Sequence, residues 1–437
     1  MSRVVRNLSS PVIRQPRTFN SESIIVIRTT NASEVRRALV LRREIALIDL
    51  RTEASFATGH PLFAANLAAN RIALEAPFRL PRRDVPIVLY DDGDGWVGTA
   101  AEAFAELGFT DITALEDGLS GWRAAGFELF QDVNSYAKAF GELVEARRHT
   151  PSLSAEDVAA LIEEKADIAI VDARRPSEYA TMNIPGSASV PGAELVLRAG
   201  AVAPDPDTTI IVNCAGRTRS IIGTQSLINA GIPNRVLALR NGTIGWTLAE
   251  QALEHGSERH AAPGDAAEAR SRSRAVAYRA GVRRVGPDII PSLRSDLSRT
   301  LYCFDVRSDE EYAAGHIPGF RHYPGGQLVQ ETDMAAPVRG ARILLADDLG
   351  SRADMTASWL AQMGWEVYVL DGGFDDGMVE LERGPQEAPS PIPLGARYKR
   401  PYEGTDNASV AMQAYLDWEY GLVEQLERDG THGFFVI

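Results

Sequence analysis

Short apolar runs alternate with longer amphipathic ones along this chain, and the alternation occurs three times. Ala46-Leu47-Ile48, Ala169-Ile170-Val171 and Tyr302-Cys303-Phe304 are apolar runs of strand length. Each closes on an Asp-x-Arg: Asp49-Leu50-Arg51, Asp172-Ala173-Arg174 and Asp305-Val306-Arg307. An aromatic follows in each case (Phe56, Tyr179, Tyr312). A second apolar run ends 42 residues after each Asp, at Asp91, Cys214 and Asp347. Helical runs come next (99–107, 220–230, 352–363), then third strands (112–115, 236–239, 367–370). Gly-rich turns close the units: Asp117-Gly118-Leu119-Ser120-Gly121-Trp122, Asn241-Gly242-Thr243-Ile244-Gly245-Trp246 and Asp371-Gly372-Gly373-Phe374. Strand, helix, strand predicts parallel βαβ units. Recurrence at 123 and then 133 residues predicts three α/β domains of similar size.

The expected domains are 23–130, 152–253 and 278–381, followed over 382–437 by a Pro-rich connector and a C-terminal helix. A polar stretch, 131–151, leads to Ser154, which reads as a helix N-cap. Residues 255–275 are rich in Ala, Arg, Glu and Gly and read as a linker with some helix. Pro385, Pro389, Pro391 and Pro393 mark an extended connector. Within 407–428, Val410, Met412, Tyr415, Leu416, Trp418, Leu422 and Leu426 form a helical stripe that needs a surface. That surface is either another domain or a second copy of the chain, the latter making a homo-oligomer. Phe434-Phe435-Val436-Ile437 is expected as a short strand or plug beside it.

A chain of 437 residues suits three domains. The net charge of −14 argues against nucleic acid as a partner. No apolar run reaches the ~20 residues that span a bilayer, which argues against a membrane protein. Two cysteines leave no disulfide framework and fit a reducing compartment. The histidines have no metal-ligand spacing beside them, and no Walker or dinucleotide glycine pattern occurs. The first 21 residues hold four arginines and no acid but lack an apolar core, so they read as a mature N-terminal arm. The expectation is a cytoplasmic protein with no metal and no cofactor.

Chemistry concentrates at Cys214. It ends the run Ile210-Ile211-Val212-Asn213 and precedes Ala215-Gly216-Arg217-Thr218-Arg219-Ser220, where a helix starts. A thiol facing a helix amino end, with cations nearby, favours the thiolate. Arg217 and Arg219 are expected to lower its pKa and to attract an anionic sulfur donor. The spacing is C-x4-R, one residue shorter than a tyrosine-phosphatase loop, and a tighter cradle of backbone amides suits a terminal sulfur better than a phosphate. The sister loops, Asp91-Asp92-Gly93-Asp94-Gly95-Trp96 and Asp347-Asp348-Leu349-Gly350-Ser351-Arg352, carry carboxylates where the nucleophile would be. Domains one and three are therefore expected to be non-catalytic.

These motifs resemble the rhodanese (thiosulfate sulfurtransferase) superfamily, in a three-domain arrangement covering 23–381. The run Asp305-Val306-Arg307-Ser308-Asp309-Glu310-Glu311-Tyr312-Ala313-Ala314-Gly315-His316-Ile317-Pro318-Gly319 is close to that family's first signature. Domain two departs from it at Met182-Asn183, where the family usually has Gly-His. The resemblance implies small parallel sheets with helices on both faces and a ping-pong reaction. Cys214 would take sulfur from thiosulfate or a similar anion, hold it as a persulfide and pass it to cyanide or a thiol. It implies a substrate-binding set of Ala215, Gly216, Arg217, Thr218 and Arg219 with Asp172 and Arg174, Asp172 orienting the first strand's loop and Arg174 helping to hold the donor anion. Arg175 competes with Arg174 for the donor anion. Mercaptopyruvate is the weaker donor, because two arginines follow the cysteine. Cys303, His316, Trp122 and Trp246 read as structural. A regulatory or protein-binding role is the alternative, with a phosphatase or arsenate reductase behind it.

Overall fold

The computed structural model describes residues 27–262, 264–374, 377, 379–386, 391–393, 395–400 and 402–437, so the N-terminal arm lies outside the described residues. Three parallel sheets share one topology. In the first, strands lie in the order Arg28–Thr30, Ile112–Leu115, Ile87–Tyr90, Ile45–Asp49, Ala65–Asn66. The second runs Ser152–Leu153, Val236–Leu239, Thr209–Asn213, Ile168–Asp172, Ala188–Ser189. The third runs Arg283–Val285, Glu366–Leu370, Arg342–Ala346, Leu301–Asp305, Arg321–His322. Central strands such as Ile45–Asp49 and Ile87–Tyr90 are buried at every residue, as a sheet covered on both faces requires. The helices after the central loops, Val97–Glu106, Thr218–Asn229 and Ser351–Gln362, start within about a turn of their expected positions.

The Asp-x-Arg repeats are internal staples. In each, the arginine Nε and Nη2 grip the carboxylate two residues before it: Arg51 on Asp49, Arg174 on Asp172, Arg307 on Asp305, with Nη2 contacts of 2.6, 2.7 and 2.6 Å. The same Nη2 donates to a carbonyl eight residues on, at Gly59, Met182 and Gly315. Phe56, Tyr179 and Tyr312 pack inside. His60 and His316 stack on Phe56 and Tyr312 with ring centroids 3.7 and 3.8 Å apart. Asn183 fills that place in domain two, its amide donating to Tyr179 O at 3.1 Å, where His316 Nδ1 lies 3.0 Å from Tyr312 O. Trp122 and Trp246 are core residues.

The segment 255–275 is partly helical, as expected, but its helix is long and runs on past the segment. It leads into a 14-residue helix, Ala266–Arg279, whose first turn is capped by the Asp265 carboxylate. That helix packs on Ser351–Gln362 as Ser135–Arg148 packs on Thr218–Asn229. Each later unit thus opens with a long helix that covers the helix behind its own loop. Ala266–Arg279 buries only Ala269, Ser273, Val276 and Ala277, too thin a stripe to stand out in the sequence.

The domains are not separate bodies. Val338–Arg339 of the third unit pairs antiparallel with Ile45–Asp49, adding a strand to the first sheet. One apolar core runs through the first and third units, helix Ser135–Arg148 and the tail. The tail forms helices Ala408–Tyr420 and Leu422–Asp429. Leu416, Leu422 and Leu426 are fully buried within the same chain, and Phe434 meets Tyr136 and Phe140 edge-on. The C-terminal part of the stripe is therefore covered intramolecularly, while Val410 at its start stays exposed. No helix among the described residues is long and apolar enough to cross a membrane.

Candidate active site

Cys214 follows strand Thr209–Asn213 directly and is 2% exposed. Its loop is pinned from below by the closing turn. Thr243 donates through N–H and Oγ1 to Cys214 O, at 2.8 and 3.0 Å, and Ile244 N–H donates to Ala215 O at 2.9 Å. Gly242, at φ +54°, lies under the loop, where any Cβ would collide with Cys214 O and Gly216 O. The loop can sit this low only because the turn carries a glycine.

The sister loops reveal what the loop's amides do. Asp91 Oδ1 accepts from Gly93 N–H at 3.0 Å, and Oδ2 from Trp96 N–H at 2.7 Å. Asp347 accepts from the N–H groups of Leu349, Arg352 and Ala353. Both loops are thus anion cradles filled by their own first residue. The matching donors in domain two are the N–H groups of Gly216, Arg219 and Ser220, and there the first residue is a cysteine.

The two arginines have different surroundings. Arg219 lines the loop and forms a two-point pair with Glu178, at 2.7 and 3.0 Å. Burial alone would raise the Glu178 carboxyl, but Arg219 brings it down to about 2. Arg352 and Glu311 make the corresponding pair in domain three, at 2.6 Å. Arg217 instead turns toward helix Ser135–Arg148, where Gly141 allows close approach to Thr218. It grips Glu142 at 2.8 and 2.7 Å, pairs with Glu145, and stacks on Tyr420 at 3.9 Å.

The thiol pKa departs from the sequence reading. Burial pushes Cys214 above the ordinary thiol value of 9.0; Arg219 and two contacts from Ser220 pull it down, and Asp172 pushes it up. Arg217, paired with Glu142 and Glu145, is not among the leading influences on the thiol. Two outcomes follow. Alkylation of Cys214 by iodoacetamide should accelerate through and beyond pH 9, and Arg219→Ala should move that profile further up. Arg217→Ala should leave the profile in place but strand a buried carboxylate, costing about 3–5 kcal/mol in thermal or denaturant unfolding.

Asp172 and Arg174 are not among the residues lining the cavity over Cys214; Nε and Nη2 of Arg174 are spent on the staple, a scaffold position rather than the substrate contact expected of them. Arg175 does line the cavity, held by Glu331 of domain three at 2.9 Å. The cavity has a volume of about 590 Å³ and lies where all units meet. Cys214 to Arg219 form its floor, Lys138 comes from the helix before domain two, and Gln327 and Gln330 come from domain three. Tyr398 and Tyr402 of the connector, with Tyr415 and Glu419 of the tail, cover it. Sequence reasoning missed Glu178, Glu142, Lys138 and Glu419, since pairing across 41 to 281 positions leaves no local pattern. Cys303, inside its strand, is lifted by burial to about 11 and fits a structural thiol.

The Rhodanese-like domain family matches residues 31–125, 154–249 and 292–378, and the chain belongs to that family. A thiosulfate sulfurtransferase from Pseudomonas aeruginosa, known as a crystal structure, superposes at a TM-score of 0.90 with 48% identity, over 94% of this chain and 100% of that one. Shorter relatives match one domain's length. Thiosulfate sulfurtransferase GlpE of Ectopseudomonas mendocina is 32% identical over 97 residues, 21% of this chain and 82% of that protein. Its counterpart in Pseudomonas fluorescens is 31% identical over 97 residues, 21% of this chain and 82% of that protein.

Proposed function

We propose that the chain is a sulfurtransferase that carries sulfane sulfur on Cys214. The observation behind this reading is the contrast among the three loops. Two cradles hold a carboxylate of their own chain; the third presents a nucleophilic sulfur to the same set of amides. The Cys214 thiolate attacks the outer sulfur of thiosulfate, the S–S bond breaks with its electron pair on sulfite, and the outer sulfur stays on Cys214 as a persulfide anion. N–H groups of Gly216, Arg219 and Ser220, with the Arg219 charge, stabilise that anion. They also help the thiolate form against the burial that disfavours it. A thiol or cyanide then removes the sulfur. That Arg175 lines the cavity and Arg174 does not supports Arg175 as the residue that meets the donor anion.

Asp172 and Arg174 serve this reading as scaffold: Asp172 also accepts from Asn213 Nδ2 at 2.8 Å, fixing the strand end on which Cys214 stands. Both cysteines are free, which fits a reducing compartment such as the cytoplasm. Steady-state rates with thiosulfate and cyanide varied together should give parallel double-reciprocal lines, the signature of a substituted enzyme. Intersecting lines, or turnover of a phosphate ester at a comparable rate, would contradict the reading.

A further inference from the structure

Glu419 sits in the tail, 205 positions after Cys214, yet lines the same cavity and is 1% exposed. Its Oε1 accepts from Tyr415 OH at 3.2 Å. Its Oε2 has no hydrogen-bond partner among the described residues, and points at the cysteine loop, 3.4 Å from where a Cβ on Gly216 would stand. A buried carboxylate oxygen left bare is costly, and its retention calls for an explanation. We propose that Glu419 is the general base that takes the proton from a thiol acceptor in this cavity, an inference that rests on the sulfurtransferase reading above.

The groups around it suit that role. Lys138 and Glu142 face it from helix Ser135–Arg148, Arg217 from the loop and Tyr402 from the connector. Burial dominates and pushes the carboxyl up to about 7: Glu142 adds to the rise, while Lys138, Arg217 and the Tyr415 hydrogen bond oppose it. A carboxylate at that value can accept a proton near neutrality and release it again. The cavity, at about 590 Å³, also has room for an acceptor much larger than cyanide.

The step balances. The acceptor's S–H proton passes to Glu419, and the freed electron pair forms a bond to the outer sulfur of the Cys214 persulfide. The bond from that sulfur to Sγ breaks with its pair on Sγ, leaving the Cys214 thiolate and the acceptor persulfide. Glu419 then gives its proton to water. An acceptor that is already an anion needs no such base.

That difference supplies the test. Wild-type protein and Glu419→Gln are loaded with thiosulfate, freed of excess, and mixed with either 2-mercaptoethanol or sulfite. Discharge to the thiol should fall about 10²-fold or more in the variant, the range for loss of a general base, while discharge to sulfite falls far less. Wild-type discharge to the thiol should rise with pH through about 7, and that inflection should vanish in the variant. Should Glu419→Gln not fold, Tyr415→Phe removes the hydrogen bond that holds the carboxyl down, and the inflection should move up for the thiol alone. Equal slowing toward both acceptors, or an unmoved pH profile, overturns the role of Glu419 while leaving the sulfurtransferase reading intact. Failure of wild-type protein to take up sulfur overturns both.

Discussion

Cys214→Ser is expected to abolish sulfur transfer and leave the fold unchanged. The hydroxyl is nearly isosteric with the thiol and can still sit 2% exposed above Asn213. A serine hydroxyl is a far weaker nucleophile at neutral pH. A residual sulfane sulfur would also have no site, because the other two cradles already hold Asp91 and Asp347. Thiosulfate:cyanide activity at background, with an unchanged melting curve, is the predicted result. Activity above background would move the chemistry away from this loop.

Removing residues 405–437 should have the largest effect on stability. Leu416, Leu422 and Leu426 are each 1% exposed or less. Full burial of a leucine side chain contributes about 1.5–3 kcal/mol, against a total stability of about 5–15 kcal/mol for a typical domain. The same cut removes the ring of Phe434 from Tyr136 and Phe140 and the Ile437 N–H bond to Gln362 Oε1 at 3.0 Å. It also removes Tyr415 and Glu419 from the cover of the cavity and Tyr420 from the Arg217 guanidinium. The truncated chain should melt several degrees lower, or not fold, and should lose turnover. A single Leu422→Ala change, costing about 2–5 kcal/mol, should lower the melting temperature without uncovering the site. A truncated chain with wild-type melting and activity would show that the tail is a passive appendage.

Much of this architecture was legible because it is local. The three strands of each unit and the 42-residue interval from Asp-x-Arg to the loop follow from short apolar runs and turn glycines. Cys214 stood out because its sisters are aspartates. What could not be read was direction and distance. Arg217 and Arg219 are two positions apart, yet one pairs with Glu142 and Glu145 and the other with Glu178, a choice made in part by a helix some 75 positions earlier. The staple role of Arg174 depends on a carbonyl, which has no sequence signature. The thiol pKa went the other way because burial, invisible in composition, outweighs one nearby cation. The thin stripe of Ala266–Arg279 hid the full extent of that helix, and Val338–Arg339 joins a sheet nearly 300 positions away.

The central claim is that sulfur from the donor comes to rest on Cys214. Mass spectrometry of the intact chain and its peptides after incubation with thiosulfate tests it most directly. One added sulfur on the peptide holding Cys214, none on the peptide holding Cys303, and its loss on adding cyanide is the predicted result. An unmodified Cys214 in folded protein, or sulfur found on Cys303, would contradict the account.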